Sequence, residues 1–154
     1  MSKRCAALGL AIALALGFSG GALAASAKIV DLLVTKGSDD LLVFATLEGA
    51  FTKEIEESIT SGVSTTFTYY LRLMRRRALF DAEVTALTIS QGVSYDLLKD
   101  EFTFVREMGG ERFARVTKSY AEVKRWMGEL RGIRLGSLSA LGKYEVYYVL
   151  VKAE

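Results

Sequence analysis

From Thr65 to Met74 the chain alternates without a break. Phe67, Tyr69, Leu71 and Leu73 point one way, and Thr66, Thr68, Tyr70 and Arg72 the other. A period of two belongs to a strand and cannot serve a helix, whose faces repeat every 3.6 residues. This strand therefore has one buried and one solvated face. Glu83 to Tyr95 repeats the theme, with Leu87, Ile89, Val93 and Tyr95 set against Thr88, Ser90 and Ser94.

The neighbouring segments extend the pattern. Lys28 to Lys36 and Leu41 to Glu48 are apolar, β-branched runs joined by Gly37-Ser38-Asp39-Asp40, and read as a hairpin. Glu101 to Glu107 and Arg112 to Thr117 read as another, around Met108-Gly109-Gly110. Lys143 to Lys152 is apolar on both faces and reads as a long closing strand central in a sheet. Two helices interrupt the strands. Glu54 to Ser61 places Ile55 and Ile59 on one face, with Thr52 or a neighbour as cap and Gly62 as stop. In the second, Ser119-x-x-Glu122 is a capping box, and Val123, Trp126, Met127 and Leu130 follow at helical spacing before Gly132. The order β-β-α-β-β-β-β-α-β predicts a mainly β protein, an antiparallel β-sandwich with two short helices. A two-layer α+β fold is the alternative.

The first residues follow a different plan. Lys3 and Arg4 precede an uncharged run from Ala6 to Phe18, then Ser19-Gly20-Gly21 and the small-x-small triplet Ala22-Leu23-Ala24. This is the three-part layout of a secretory signal peptide. It divides the chain into a signal over 1–24 and a single β-rich domain over 25–154, and predicts a periplasmic protein. A second cut is available after Ala27, and an uncleaved anchor in the inner membrane is the alternative. Cys5 precedes the apolar run, so it is no lipoprotein cysteine. Cleavage also changes the charge. The chain has 20 Lys+Arg and 18 Asp+Glu, and losing Lys3 and Arg4 leaves 18 of each. Balanced charge lacks the electrostatic footprint of a nucleic-acid binder.

Composition narrows the chemistry further. The only Cys leaves with the signal, so no disulfide is expected, and there is no His. That removes Ser-His-Asp and Cys-His catalysis, the usual general base and the usual zinc ligands. No metal and no cofactor are expected.

Several stretches carry a resemblance. Phe51-Thr52-Lys53-Glu54-Ile55-Glu56-Glu57-Ser58-Ile59 runs into Ser61-Gly62-Val63-Ser64-Thr65-Thr66-Phe67. Val93-Ser94-Tyr95-Asp96 precedes an aromatic strand, and Ala121-Glu122 leads to Arg125-Trp126-Met127. Together these resemble domain of unknown function 4390, a family of small exported bacterial proteins, over almost all of 28–154. The resemblance implies an envelope role beside membrane sensor kinases, hence signalling. It supplies no catalytic residues, because the family's activity is unassigned.

The candidate contacts are few. Arg75-Arg76-Arg77 closes a strand beside Leu79-Phe80. It reads either as a solvated turn or as an anion contact, to a lipid head group or an acidic partner. Tyr70 and Arg72, on the polar face of their strand, and Tyr147, in a tyrosine-rich segment with Tyr144 and Tyr148, are candidate partner contacts. Asp39-Asp40 lacks the spacing of a calcium loop. Glu54, Glu56 and Glu57 have ordinary helix-surface spacing. Trp126 and Met127 lie on an apolar stripe and are expected in the core. These features predict a non-enzymatic binding or adaptor domain that contacts an envelope protein. The alternative is a carrier or sensor of an apolar small molecule or lipid held between the sheets, and a carboxylate enzyme is a third reading.

Overall fold

A computed structural model describes residues 27–154. The expected signal peptide and its first cleavage site lie outside the described residues. The elements run β1 (Lys28–Lys36), β2 (Asp40–Glu48), α1 (Lys53–Thr60), β3 (Thr65–Arg75), β4 (Ala82–Asp96), β5 (Glu101–Met108), β6 (Glu111–Thr117), α2 (Tyr120–Gly128), β7 (Glu129–Ser137), a single 3-10 turn at Leu138–Ala140, and β8 (Tyr147–Ala153). One antiparallel sheet has the order β1-β2-β7 and the other β6-β5-β4-β3-β8. Of the described residues 59% are strand and 16% helix, so the fold is mainly β.

The alternation on β3 becomes burial: Phe67, Tyr69, Leu71 and Leu73 are all in the core. They meet Val43 and Leu41 of β2, and Ile133 and Leu135 of β7, across the sandwich. Both helices pack against the larger sheet and extend the layer begun by the smaller one. Among the described residues the strands, both helices and the buried cluster fall within 28–153.

The helix signals behave as local chemistry dictates. Thr52 Oγ1 accepts from the Ile55 N–H, and Gly62 stops α1 at φ 88°. Ser119 Oγ accepts from the Glu122 N–H. The reciprocal arm of that box runs through Thr117: the Ser119 N–H donates to Thr117 Oγ1, whose hydroxyl donates to Glu122 at 2.5 Å.

Three expectations need correction. The second helix ends at Gly128, and Leu130 and Gly132 belong to β7. Gly132 sits at φ 62° in a bulge: Val43 pairs with Ile133 and Ala45 with Leu130, so that Phe44 alone faces Arg131 and Gly132. The bulge turns Leu130 and Ile133 to one face at a spacing of three, which imitates a helix. The closing strand begins at Tyr147 and lies at the edge of its sheet beside β3, not centrally. Its inner face carries Val149 and Val151 against the core, while Leu150 on its outer face is exposed. Finally, Trp126 is only half-buried, at the margin of the core.

Candidate functional site

The site begins with a problem that every helix has. The last carbonyls of α2 have no partner within the helix, and the chain passes straight into β7. Two side chains of the larger sheet solve this from below. Tyr69 donates its hydroxyl to the Met127 carbonyl at 2.5 Å. Gln91, with no exposed surface, has its amide oriented by its neighbours: the NH2 donates to the carbonyls of Met127 (2.7 Å) and Trp126 (3.1 Å). Its oxygen accepts from Arg106 Nη2 and Nε at 2.8 and 2.9 Å. The buried amide is fully used, which is the condition under which a polar group is tolerated in a core.

This network aims Arg106 into an open cleft of about 440 Å³ beside the end of α2. Arg115 of β6, Arg125 of α2 and Arg131 of β7 line the same cleft, with Glu129 the one acid in its wall. The β5–β6 hairpin places them by register: Arg106 pairs with Phe113, and Phe104 with Arg115. Aromatic and guanidinium groups therefore interleave. Arg115 lies 4.8 Å from the Phe113 ring centre and 5.5 Å from that of Trp126, and Arg106 lies 5.7 Å from that of Phe104.

The four arginines are not equivalent. Arg125 pairs with Glu122 at 3.5 Å, and Arg131 with Glu129 at 2.5 Å. Arg106 and Arg115 have no carboxylate partner among the described residues, and residues 1–26 contain no Asp or Glu. Burial pushes the Arg106 pKa down, and the charge of Arg115 adds to that. Arg106 still holds its proton, because guanidinium stays charged in proteins. An anion entering the cleft would relieve both effects. Guanidinium groups suit carboxylate and phosphate oxygens, which they can bind by two parallel hydrogen bonds.

The candidates singled out in the sequence fall in two groups around β3 and β8. Arg75 makes two 3.0 Å bonds to the Glu145 carboxylate, which also accepts from Tyr147 at 2.6 Å. Arg76 donates its backbone N–H to the Val146 carbonyl and lies over the Tyr148 ring, while the Arg77 N–H caps onto Asp81. Tyr70 and Arg72 lie on the opposite, outer face, where Arg72 pairs with Glu83 at 3.5 Å. The sequence run of three arginines is thus divided between a carboxylate-bound member and two exposed ones. The Asp40 carbonyl closes the β1–β2 turn by accepting from the Gly37 N–H, and the Asp39 carbonyl accepts from the Leu138 N–H after β7. Among the described residues no group of three or more His, Cys, Asp or Glu is placed to hold a metal.

Sequence reasoning did not single out Gln91, Arg106, Arg115 or Arg131. Gln91 did carry a signal: it occupies an inward position between Ile89 and Val93, where the alternation calls for an apolar residue.

No curated protein and no solved structure matches the chain. The family model described as Domain of unknown function (DUF4390) matches residues 24–154, nearly everything after the N-terminal basic and apolar segment. The chain therefore belongs to the DUF4390 family.

Proposed function

We propose that this is a non-enzymatic binding domain of the bacterial envelope, and that the arginine cleft receives an acidic group of a partner protein. One observation carries the reading: two guanidinium groups without carboxylates, Arg106 and Arg115, converge beside Trp126 in an open cleft. A charge left unpaired at a half-dry site is costly unless something answers it. The acid in the wall, Glu129, is already bound to Arg131, so the cleft offers no free base for catalysis. The signal-like N-terminal segment supports export to the periplasm as part of this reading, and an adaptor role in signalling is consistent with both. An apolar carrier has no specific observation in its favour, because Phe67, Leu71, Phe102 and Phe104 are packed into the core.

The test is a photocrosslinker at Phe113, which is half exposed on the cleft rim. In cells exporting the protein it should trap one discrete envelope partner, and Arg115→Glu should abolish that product. Equal labelling from a probe at Lys36, far from the cleft, would mean that the contacts are random and the cleft is not a recognition site.

A further inference from the structure

One end of the sandwich carries an apolar knob. The β3–β4 loop exposes Leu79 (86%) and Phe80 (85%), and the β7–β8 connection exposes Tyr144 (91%) and Val146 (61%). The two loops are tied together and braced. The Arg76 N–H donates to the Val146 carbonyl at 2.9 Å, the Arg77 N–H to Asp81 at 3.1 Å, and the Gly142 N–H to the Tyr147 hydroxyl at 2.8 Å. Four large apolar side chains are thus held out into water by a fixed scaffold, a cost that an isolated surface Leu does not impose.

Their surroundings identify what meets them. Arg76, Arg77 and Lys143 flank the knob without ion-pair partners among the described residues. The nearby acids are occupied: Asp81 by the Arg77 N–H and the Tyr148 hydroxyl, Glu145 by Arg75 and Tyr147, Glu83 by Arg72. Asp39 and Asp40 belong to the separate β1–β2 turn, whose carbonyls bond Leu138 and Gly37. The opposite end provides a contrast. There Leu97 and Leu98 are also exposed, but the cation beside them, Lys99, is paired with both Asp96 and Glu101, and Asp100 adds a further acid. An apolar tip flanked by unpaired cations fits a surface that is negatively charged and also penetrable, whereas one whose lysine is already paired among acids does not.

We infer that the loops carrying Leu79, Phe80, Tyr144 and Val146 insert into the head-group layer of an anionic membrane, with Arg76, Arg77 and Lys143 against the phosphates. Apolar and aromatic side chains enter the boundary between head groups and acyl chains, and Arg and Lys remain at the charged level. The surface is distinct from the arginine cleft and does not depend on it.

The test uses protein starting at Ala25, which carries every element of the fold, and vesicles of phosphatidylcholine with or without an equal amount of phosphatidylglycerol. Co-sedimentation should be strong only with phosphatidylglycerol. Arg76→Ala with Arg77→Ala should weaken it by about fivefold for each charge removed. Leu79→Ser with Phe80→Ser should weaken it by more than about tenfold. Leu97→Ser with Leu98→Ser should leave it unchanged. Circular dichroism verifies folding of each variant. As a second readout, Phe80→Trp in a Trp126→Phe background puts the chain's only tryptophan at the tip. Its emission should shift to the blue on binding and be quenched by brominated acyl chains. No binding to anionic vesicles, equal binding to neutral ones, or binding lost through Leu97 and Leu98 instead would each overturn the inference. Concentration-dependent self-association abolished by Leu79→Ser with Phe80→Ser, without vesicle binding, would assign the knob to a second copy of the chain.

Discussion

Two arginine clusters flank the larger sheet, and they differ in what answers their charge. Around β3 and β8, Arg72 and Arg75 each meet a carboxylate, and the bonds lie at the solvent-facing surface. Beside α2, Arg106 is held from behind by a buried amide and a helix-end carbonyl, and faces an opening with no free acid. The contiguous cluster is the more conspicuous in sequence, and in space only its first member, Arg75, is neutralised, while Arg76 and Arg77 stand exposed on the β3–β4 loop. The dispersed one, drawn from β5, β6, α2 and β7, leaves Arg106 and Arg115 without carboxylates in a cleft, where the partly buried Arg106 bears a desolvation cost that a loop arginine does not. Density of charge along the chain therefore points to the loop cluster and misses the cleft. Pairing decides, and pairing is tertiary.

The largest test of this contrast is Gln91→Leu. The side chain keeps its approximate size but leaves the Met127 and Trp126 carbonyls and the Arg106 guanidinium short of a partner. Buried groups stranded in this way cost about 1–3 kcal/mol apiece, and some relaxation is available to Arg106, so we expect a loss of about 2–4 kcal/mol. Arg75→Gln, at the exposed cluster, should move the urea midpoint much less. Equal effects from the two substitutions would erase the distinction between a buried scaffold and a surface ion pair.

Trp126→Ala comes next. A tryptophan in a closed core costs about 3–5 kcal/mol to truncate. Trp126 is half-buried, with one face on Phe104 and Arg115 beside it, so about 1–3 kcal/mol is expected. The same variant should lose the photocrosslinked partner at Phe113. A cost at the full core value, with the partner retained, would return Trp126 to the core and weaken the case for the cleft. Ser119→Ala is smaller again, typically about 1 kcal/mol for a lost cap. It should leave the cleft's crosslinks intact, because the cap lies at the other end of α2. Denaturation of the variants in parallel measures all three.

What could be read from the sequence follows the same division between local and tertiary. Phe67 to Leu73 gave away β3 because alternation is a property of neighbours in the chain. Thr52, Gly62 and Ser119 marked helix ends because caps act within three or four residues. β7 was hidden by the bulge at Gly132, which gives a strand the spacing of a helix turn. The edge position of β8 was hidden because its inner face meets the core like any central strand, while Tyr148 on the outer face finds Asp81 across the loop. The cleft was hidden most completely. Arg106 and Arg131 are 25 positions apart, and only the docking of α2 on β4 and β5 makes them neighbours.

The smallest expected effect separates the clusters by pH. Glu145 is held below its ordinary carboxylate value of 4.5, first by the hydrogen bond from Tyr147 and next by that from Arg75. A folded-state value below the unfolded one means that the unfolded chain takes up the proton more readily. The stabilisation from Glu145 is then fully present above about pH 4.5 and fades as pH falls through the folded value. Glu145→Gln should therefore differ from the parent near neutral pH and converge with it as pH falls through the lowered folded-state value. The buried cluster has no such slope, because neither the Gln91 amide nor a guanidinium titrates in that range. Gln91→Leu should accordingly remain separated from the parent by a nearly constant interval over the same window. Denaturant midpoints of the three proteins at several pH values test this. Parallel curves for parent and Glu145→Gln would show that the Arg75–Glu145–Tyr147 contact acts through shape alone, and the ionic reading of that cluster would fail.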